Sequence, residues 1–368
     1  MDKLLQTGLS AGMSATSGFH SRRPSHPDPS QDGKNILPPS FCPDAHSRVK
    51  IPTAKEPTVE VSHLCIGAWS WGDTATWHWH DSEMPALQAA FKYLIESGIN
   101  FIDTAEAYGD GKSEEILGDL IAGFPRDAVV IQTKWLGFPL APSNILHPVE
   151  APVRALKGSL ARMKLDYVDI YLVHGHIHAQ SIANVAKGLA MCVQQGLARA
   201  VGVANYDLDT FLKMRRELAR YDVPLATNQC EYNVLRRHPE VAGHIAAYRE
   251  MDVAFQSYSS LAQGRLTGKY TPANPPPATY RFSNYDMERV EPAIRALEDV
   301  ARKRGKSVAA VALNYNLSKG ALPVVGIRNE EQARQAVEAL GWRLEKEDVE
   351  MIDKQSFEGK TTMLWQQG

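Results

Sequence analysis

Asp103, Tyr108, Lys134 and His174 are residues of types that together can deliver a proton to a carbonyl oxygen. A free tyrosine titrates near about pH 10, too high for efficient donation at neutral pH unless its anion is stabilised. A lysine ammonium beside the phenol favours the phenolate, and a carboxylate bonded to that lysine keeps it in place. An imidazole can orient the carbonyl by a hydrogen bond. No amino-acid side chain donates hydride, so reduction of that carbonyl requires a nicotinamide cofactor. Asn205 and Gln229 carry carboxamides suited to two-way pairing with a nicotinamide amide. Tyr258 offers a flat face for its ring.

These residues need a scaffold that brings them to one place. Short β-branched or apolar runs recur at His63–Trp69, Ile99–Ala105, Val129–Trp135, Val168–His174, Ala200–Asn205, Ala226–Tyr232, Val253–Ser259 and Leu322–Ile327. Stretches of helical period lie between them, including Met84–Ser97, Ala151–Met163, Ser181–Gln195, Leu208–Leu218, Glu240–Met251, Pro292–Arg304 and Glu330–Leu340. Such alternation predicts an α/β fold, a closed parallel (β/α)8 TIM barrel. An open doubly wound sheet would need a GxGxxG turn after its first strand, and none is present. In a barrel of this kind chemistry sits at the C-terminal strand ends. Trp69, Asp103, Lys134, His174, Asn205, Gln229, Tyr258 and Arg328 all fall there, with Tyr108 in the loop that follows Asp103.

Composition narrows the class. The chain has 368 residues, 44% hydrophobic and 22% charged, with 40 basic residues against 42 acidic ones. That balance argues against a nucleic-acid binder, which carries a strongly basic face. No apolar run approaches the roughly 20 residues of a membrane-spanning helix. Cys42, Cys65, Cys192 and Cys230 are widely spaced, which excludes a disulfide scaffold or a zinc finger. Residues 1–56 are rich in Ser and Pro and are expected to form a disordered extension ahead of a barrel at 57–368. Lys3 to Pro27 includes Arg22 and Arg23 and no carboxylate, which resembles an organellar transit peptide. Asp28, Asp32 and Asp44 speak for an extension without an address on a cytoplasmic protein.

Seven ordered stretches carry a resemblance to the aldo-keto reductase superfamily: INFIDTAEAYGDGKSEEILG (99–118), VVIQTKW (129–135), YVDIYLVH (167–174), VGVANY (201–206), NQCEYN (228–233), YSSLAQGRLTGKY (258–270) and VVGIRNEEQA (324–333). The resemblance implies NADPH as cofactor and a small-molecule carbonyl as substrate, with Asp103, Tyr108, Lys134 and His174 as the catalytic tetrad. It places nicotinamide contacts on Asn205, Gln229 and Tyr258, and the pyrophosphate loop on Ser259, Leu261, Gly264, Arg265 and Leu266. Gly326 and Arg328 fall where the family grips the adenosine 2′-phosphate, with Gln332 beside the adenosine. The WSWGD region is most similar to plant and algal members, some of them pyridoxal reductases. Five positions depart from the family pattern: Ala204, Gly175, His176, Ser260 and Ala336.

Arg328 also stands out on physical grounds, because a cation beside a helix start at Asn329 opposes the helix dipole. A bound phosphate monoester would reconcile the two. Trp69, Trp71, Trp77 and Trp135 are assigned to the substrate pocket, which would then favour aromatic or heteroaromatic carbonyls. His174, His176 and His178 alternate, and if the strand continued through them they would share a face, as in a metal-dependent barrel hydrolase. The later strand ends offer Asn, Gln and Tyr in place of further ligands, so no metal site is expected. A regulatory NADPH-binding subunit similar to potassium-channel β subunits is the other alternative.

Overall fold

The computed structural model describes residues 30, 32–137, 141–277, 283–357 and 360–361. Its strands are β1 (Arg48–Ile51), β2 (Val59–Ser62), β3 (Cys65–Gly67), β4 (Phe101–Asp103), β5 (Val130–Trp135), β6 (Val168–Val173), β7 (Ala198–Ala204), β8 (Leu225–Glu231), β9 (Ala254–Tyr258), β10 (Ser283–Asn284), β11 (Leu322–Gly326) and β12 (Lys360–Thr361). Strands β11, β3, β4, β5, β6, β7, β8 and β9 close into a barrel in that order, every pairing parallel. All eight expected strands are present, each within a few residues of the predicted run.

Side-chain alternation sorts each strand into a barrel-facing and a helix-facing set. One apolar cluster fills the strand beginnings inside the barrel, with Phe101, Val130, Ile170, Ala200 and Leu322 among its members. The β1–β2 hairpin contributes Ile51, Val59 and Val61 to that cluster, so it plugs the N-terminal mouth. A much larger apolar cluster lies between the strands and the surrounding helices. Gly202 on β7 shows how tight the interior is, since a Cβ there would lie 2.5 Å from Thr227 and 2.6 Å from Leu172.

Several helices begin where a short polar side chain accepts a backbone N–H, as Ser181, Asp207 and Ser307 do for Ile182–Gln194, Leu208–Ala219 and Val308–Ser318. Two expectations change in detail. The Glu240–Met251 stretch is two short helices, His238–Val241 and His244–Glu250, broken at the left-handed Gly243. Helix Met287–Arg304 starts at its Asp286 cap and carries Pro292 inside, so proline does not mark its beginning.

The extension expected at 1–56 does not reach that far as unstructured chain. Arg48–Ile51 is a paired strand. Leu37 N–H donates to Ser318 O, and Gly341 N–H to Pro43 O. Arg237 pairs with Asp32 at 2.8 Å. Ordered chain therefore begins well before residue 57, and the Lys3–Pro27 segment lies outside the described residues.

Candidate active site

Above the apolar plug the barrel interior turns polar. Asp103 and Gln132 are register partners on β4 and β5, and Lys134 faces the same way one layer higher. The Asp103 Oδ1 accepts from Gln132 Nε2 at 2.6 Å and from Gln229 Nε2 at 3.2 Å. Gln132 and Gln229 each donate in turn to Gln256 Oε1 at 2.9 Å. This ladder fixes the Asp103 carboxylate from below and leaves Oδ2 for the ammonium above it.

Lys134 is completely buried. Its Nζ donates to Asp103 Oδ2 at 2.7 Å, to Thr104 O at 2.9 Å and to the Tyr108 hydroxyl oxygen at 3.0 Å. Those three bonds use all of its donors. Because the phenol oxygen accepts, its own proton is free to go elsewhere. The loop carrying Tyr108 is held by three successive left-handed residues, Gly109 (φ 55°), Asp110 (φ 56°) and Gly111 (φ 90°). A Cβ on Gly109 would come within 2.9 Å of the Gly72 backbone, so this loop locks against the one after β3. His174 follows β6, and its ring meets Tyr108 edge-on at 5.5 Å.

Charge states follow from burial and neighbours. Burial pushes the Tyr108 hydroxyl up to about 12; Lys134 pulls it back and Asp103 adds to the rise. Lys134 thus lowers the phenol as expected, but desolvation outweighs it, and the phenol stays protonated across the neutral range. Burial also works against the Lys134 ammonium, but Asp103 and Tyr108 outweigh it and raise the group above its ordinary value. Burial, then the Lys134 charge, hold His174 well below the usual imidazole range, so it is neutral. The arrangement is a protonated phenol on a fixed cation beside a neutral imidazole.

The residues assigned to a cofactor form an arc beside this group. Asn205 (φ 63°) donates to His174 O at 3.2 Å, and its Oδ1 accepts from the Tyr258 hydroxyl at 2.8 Å. That bond fixes the Tyr258 ring in one orientation. Gln229 is buried, with its amide nitrogen committed to the interior ladder. After β9 the backbone is left-handed at Ser259, Ala262, Gln263 and Gly264. Runs of this kind gather backbone N–H groups into anion-binding concavities. Leu261 and Leu266 anchor the loop on the helix-side core, with Leu266 fully buried. The nearly buried Arg265 donates to Gln263 Oε1 at 3.2 Å, and its Nε has no hydrogen-bond partner among the described residues. Gly326 ends β11 in an exposed position. Gln332 folds back to accept from Arg328 N–H at 2.8 Å. The Arg328 guanidinium is engaged by the loop after β3, where its Nε donates to Glu83 Oε2 at 2.8 Å.

Of the four pocket tryptophans, two meet the site; Trp71 is fully buried in the helix-side core, edge-on to Phe91, with its Nε1 donating to Ile327 O at 2.7 Å. Trp69 stacks on Tyr108 with centroids 5.8 Å apart, and Trp77 meets Trp69 edge-on at 5.8 Å. Trp135 does not join them. It follows the inward-facing Lys134 on the same strand, so alternation turns it outward into the helix layer, where it is 1% exposed and stacks on His178. The three alternating histidines do not converge either, because β6 ends at Val173. His176 Nδ1 pairs with Asn205 O at 3.2 Å, and His178 bonds Gln180 O at 2.8 Å and the Tyr206 hydroxyl at 3.0 Å. No group of three potential metal ligands occurs among the described residues.

Two site residues escaped sequence reasoning. The Ser70 hydroxyl, beside Trp69, is buried without a partner among the described residues. Glu83 reaches Arg328 from the residue before helix Met84–Glu96. A lone serine gives no signal; an acidic residue at a helix start reads only as a dipole partner.

A family model described as the Aldo/keto reductase family matches residues 63–356. The chain belongs to the aldo/keto reductase family. It is an enzyme of the oxidoreductase class. The chain is 30% identical over 321 residues to a chloroplastic pyridoxal reductase of Arabidopsis thaliana, covering 83% of this chain and 86% of that protein. It is 26% identical to a probable voltage-gated potassium channel β subunit of Oryza sativa subsp. japonica, covering 77% and 88%. A crystal structure of a thermostable aldo-keto reductase with the inhibitor epalrestat matches with TM-score 0.67 and 25% identity, covering 83% of this chain and 99% of that one. No helix among the described residues is long and apolar enough to cross a membrane.

Proposed function

We propose that this aldo-keto reductase uses NADPH to reduce an aromatic or heteroaromatic aldehyde or ketone, pyridoxal among them, to the alcohol. The observation that carries the reading is the Lys134 ammonium bound at once to Asp103 and to the Tyr108 oxygen, with a neutral imidazole at the ring edge. When bound, NADPH supplies the hydride. Tyr108 gives its proton to the carbonyl oxygen as negative charge develops there, and Lys134 stabilises the phenolate left behind. Asp103 holds Lys134, and His174 orients the carbonyl. The orphaned Nε of Arg265 and the left-handed run beside it suit the pyrophosphate. The Tyr258 ring, fixed by Asn205, suits the nicotinamide face. Arg265 also borders a cavity of about 250 Å³ with Pro272, Pro275 and Tyr285.

Trp69 and Trp77 support an aromatic substrate, and the Arabidopsis relative supports pyridoxal in particular. The same relative and the carboxylate-free Lys3–Pro27 segment support a chloroplast address, which a fluorescent fusion of the full chain would test.

Carbonyl panels assayed with NADPH and with NADH test the reading. We expect turnover with NADPH, fastest for aromatic aldehydes. Tight NADPH binding with no turnover of any carbonyl would contradict it and favour the regulatory-subunit reading that the rice relative suggests.

A further inference from the structure

Arg328 directly follows the core residue Ile327 and precedes Asn329, the cap of helix Glu330–Val337. A cation at that helix start needs an anion nearby, and in this structure a protein side chain supplies it. The guanidinium Nε donates to Glu83 Oε2 at 2.8 Å, and Nη2 donates to Glu83 Oε1. Nη1 donates to the Trp77 carbonyl at 2.9 Å, and the group lies 5.7 Å from the Trp79 ring centroid. All three nitrogens are thus held by the segment that runs from the pocket wall to the start of the next helix.

Two parallel N–H···O bonds to a carboxylate are the geometry a phosphate monoester would use on the same fork. One guanidinium cannot serve both, because its third nitrogen is already held by a backbone carbonyl. We infer that Glu83 is an internal competitor for Arg328, and so a specificity-determining residue that weakens discrimination in favour of a 2′-phosphorylated adenosine. The inference rests on the proposed NADPH reading, in which Arg328 receives the 2′-phosphate.

Other features fit a competitor rather than a fixed structural pair. Glu83 and Arg328 are 28% and 24% exposed, so the pair can open without burying a lone charge. Burial raises the Glu83 carboxyl, but Arg328 and the His80 N–H outweigh it and hold the group below the usual carboxylate range. Glu83 is therefore anionic at neutral pH and would repel an incoming phosphate until Arg328 lets go. An adenosine with a free 2′-hydroxyl asks for no such exchange.

The test is calorimetric binding of adenosine 2′,5′-bisphosphate and adenosine 5′-monophosphate to the full chain, wild type and variants, without turnover. Glu83→Gln keeps an acceptor for the His80 N–H and removes the charge. It should tighten the bisphosphate about five- to tenfold, the scale of a half-exposed ion pair, and leave the monophosphate within about twofold. Arg328→Ala should abolish the preference for the bisphosphate, alone and combined with Glu83→Gln. If Arg328→Ala removes the preference while Glu83→Gln leaves bisphosphate affinity unchanged or weaker, the competitor role is overturned and the Arg328 reading survives. If Arg328→Ala changes neither affinity, the 2′-phosphate reading falls and takes the competitor with it.

Discussion

Two buried Lys–Asp–Tyr groups occur among the described residues, and we propose chemistry for only one of them. Inside the barrel mouth, Lys134 donates to Asp103 and to the Tyr108 oxygen. Outside the barrel, Lys319 donates to Asp353 at 2.9 Å, to Glu240 at 2.6 Å and to Lys34 O at 2.9 Å. There the Tyr315 hydroxyl donates to Asp353 at 2.5 Å. The direction of the phenol's hydrogen bond separates the two. Tyr108 accepts from a cation and keeps its proton for a substrate, whereas Tyr315 spends its proton on a carboxylate. The second group also includes Arg237, paired with Glu240, Asp353 and the partly exposed Asp32, so each buried charge faces one of opposite sign. It ties helices Val308–Ser318 and Lys346–Asp353, the His238–Val241 turn and the N-terminal segment together. Residue types alone do not distinguish a catalytic lysine from a structural one.

Exchanging the roles by mutation should break the parallel. Lys134→Met should lower kcat by at least about 10²-fold, the scale of lost acid–base catalysis, in a steady-state assay. Lys319→Met should leave kcat per folded molecule unchanged and cost about 3–5 kcal/mol in denaturant unfolding, because two buried carboxylates lose one of their two cations and keep only Arg237. An equal loss of kcat in both variants would erase the distinction. Tyr315→Phe is the milder version: unchanged kcat, with about 1.5–3 kcal/mol lost for a hydrogen bond to a charged acceptor.

The last comparison concerns Glu106, beside the Tyr108 group and without an ion-pair partner among the described residues. Burial pushes its carboxyl up to about 7 against the opposing Leu136 N–H bond. The native state therefore holds a proton that the unfolded chain releases near its ordinary pKa of about 4.3. Its contribution to stability is full below that value and is lost as pH rises through about 7. Glu106→Gln should flatten the Tm-versus-pH curve in that window, and parallel curves for variant and wild type would contradict this.

The barrel was legible because strand and helix periods alternate along the chain, and the proposed tetrad because Asp103, Lys134 and His174 fall at or beside strand ends with Tyr108 in the loop after one of them. What sequence reasoning missed has physical causes. Helix Val308–Ser318 is buried from Ala309 onward, so it has no polar face and no 3.6-residue period to read. Trp135 lies next to Lys134 in sequence, but successive residues on a strand face opposite sides, so it sits in the helix layer and not the pocket. The 32–43 segment looks disordered by composition because its partners, Ser318, Arg237 and Gly341, are far away in sequence. The Glu83–Arg328 pair is long-range in the same way.

The central claim is that Tyr108 supplies the proton while Lys134 and Asp103 hold it in place. Stopped-flow single turnover of Tyr108→Phe, preloaded with NADPH and mixed with an aromatic aldehyde, tests it most directly. NADPH affinity and melting temperature should stay close to wild type, with NADPH oxidation slowed by about 10²- to 10⁴-fold. Oxidation at the wild-type rate would show that the proton comes from elsewhere and would contradict the account.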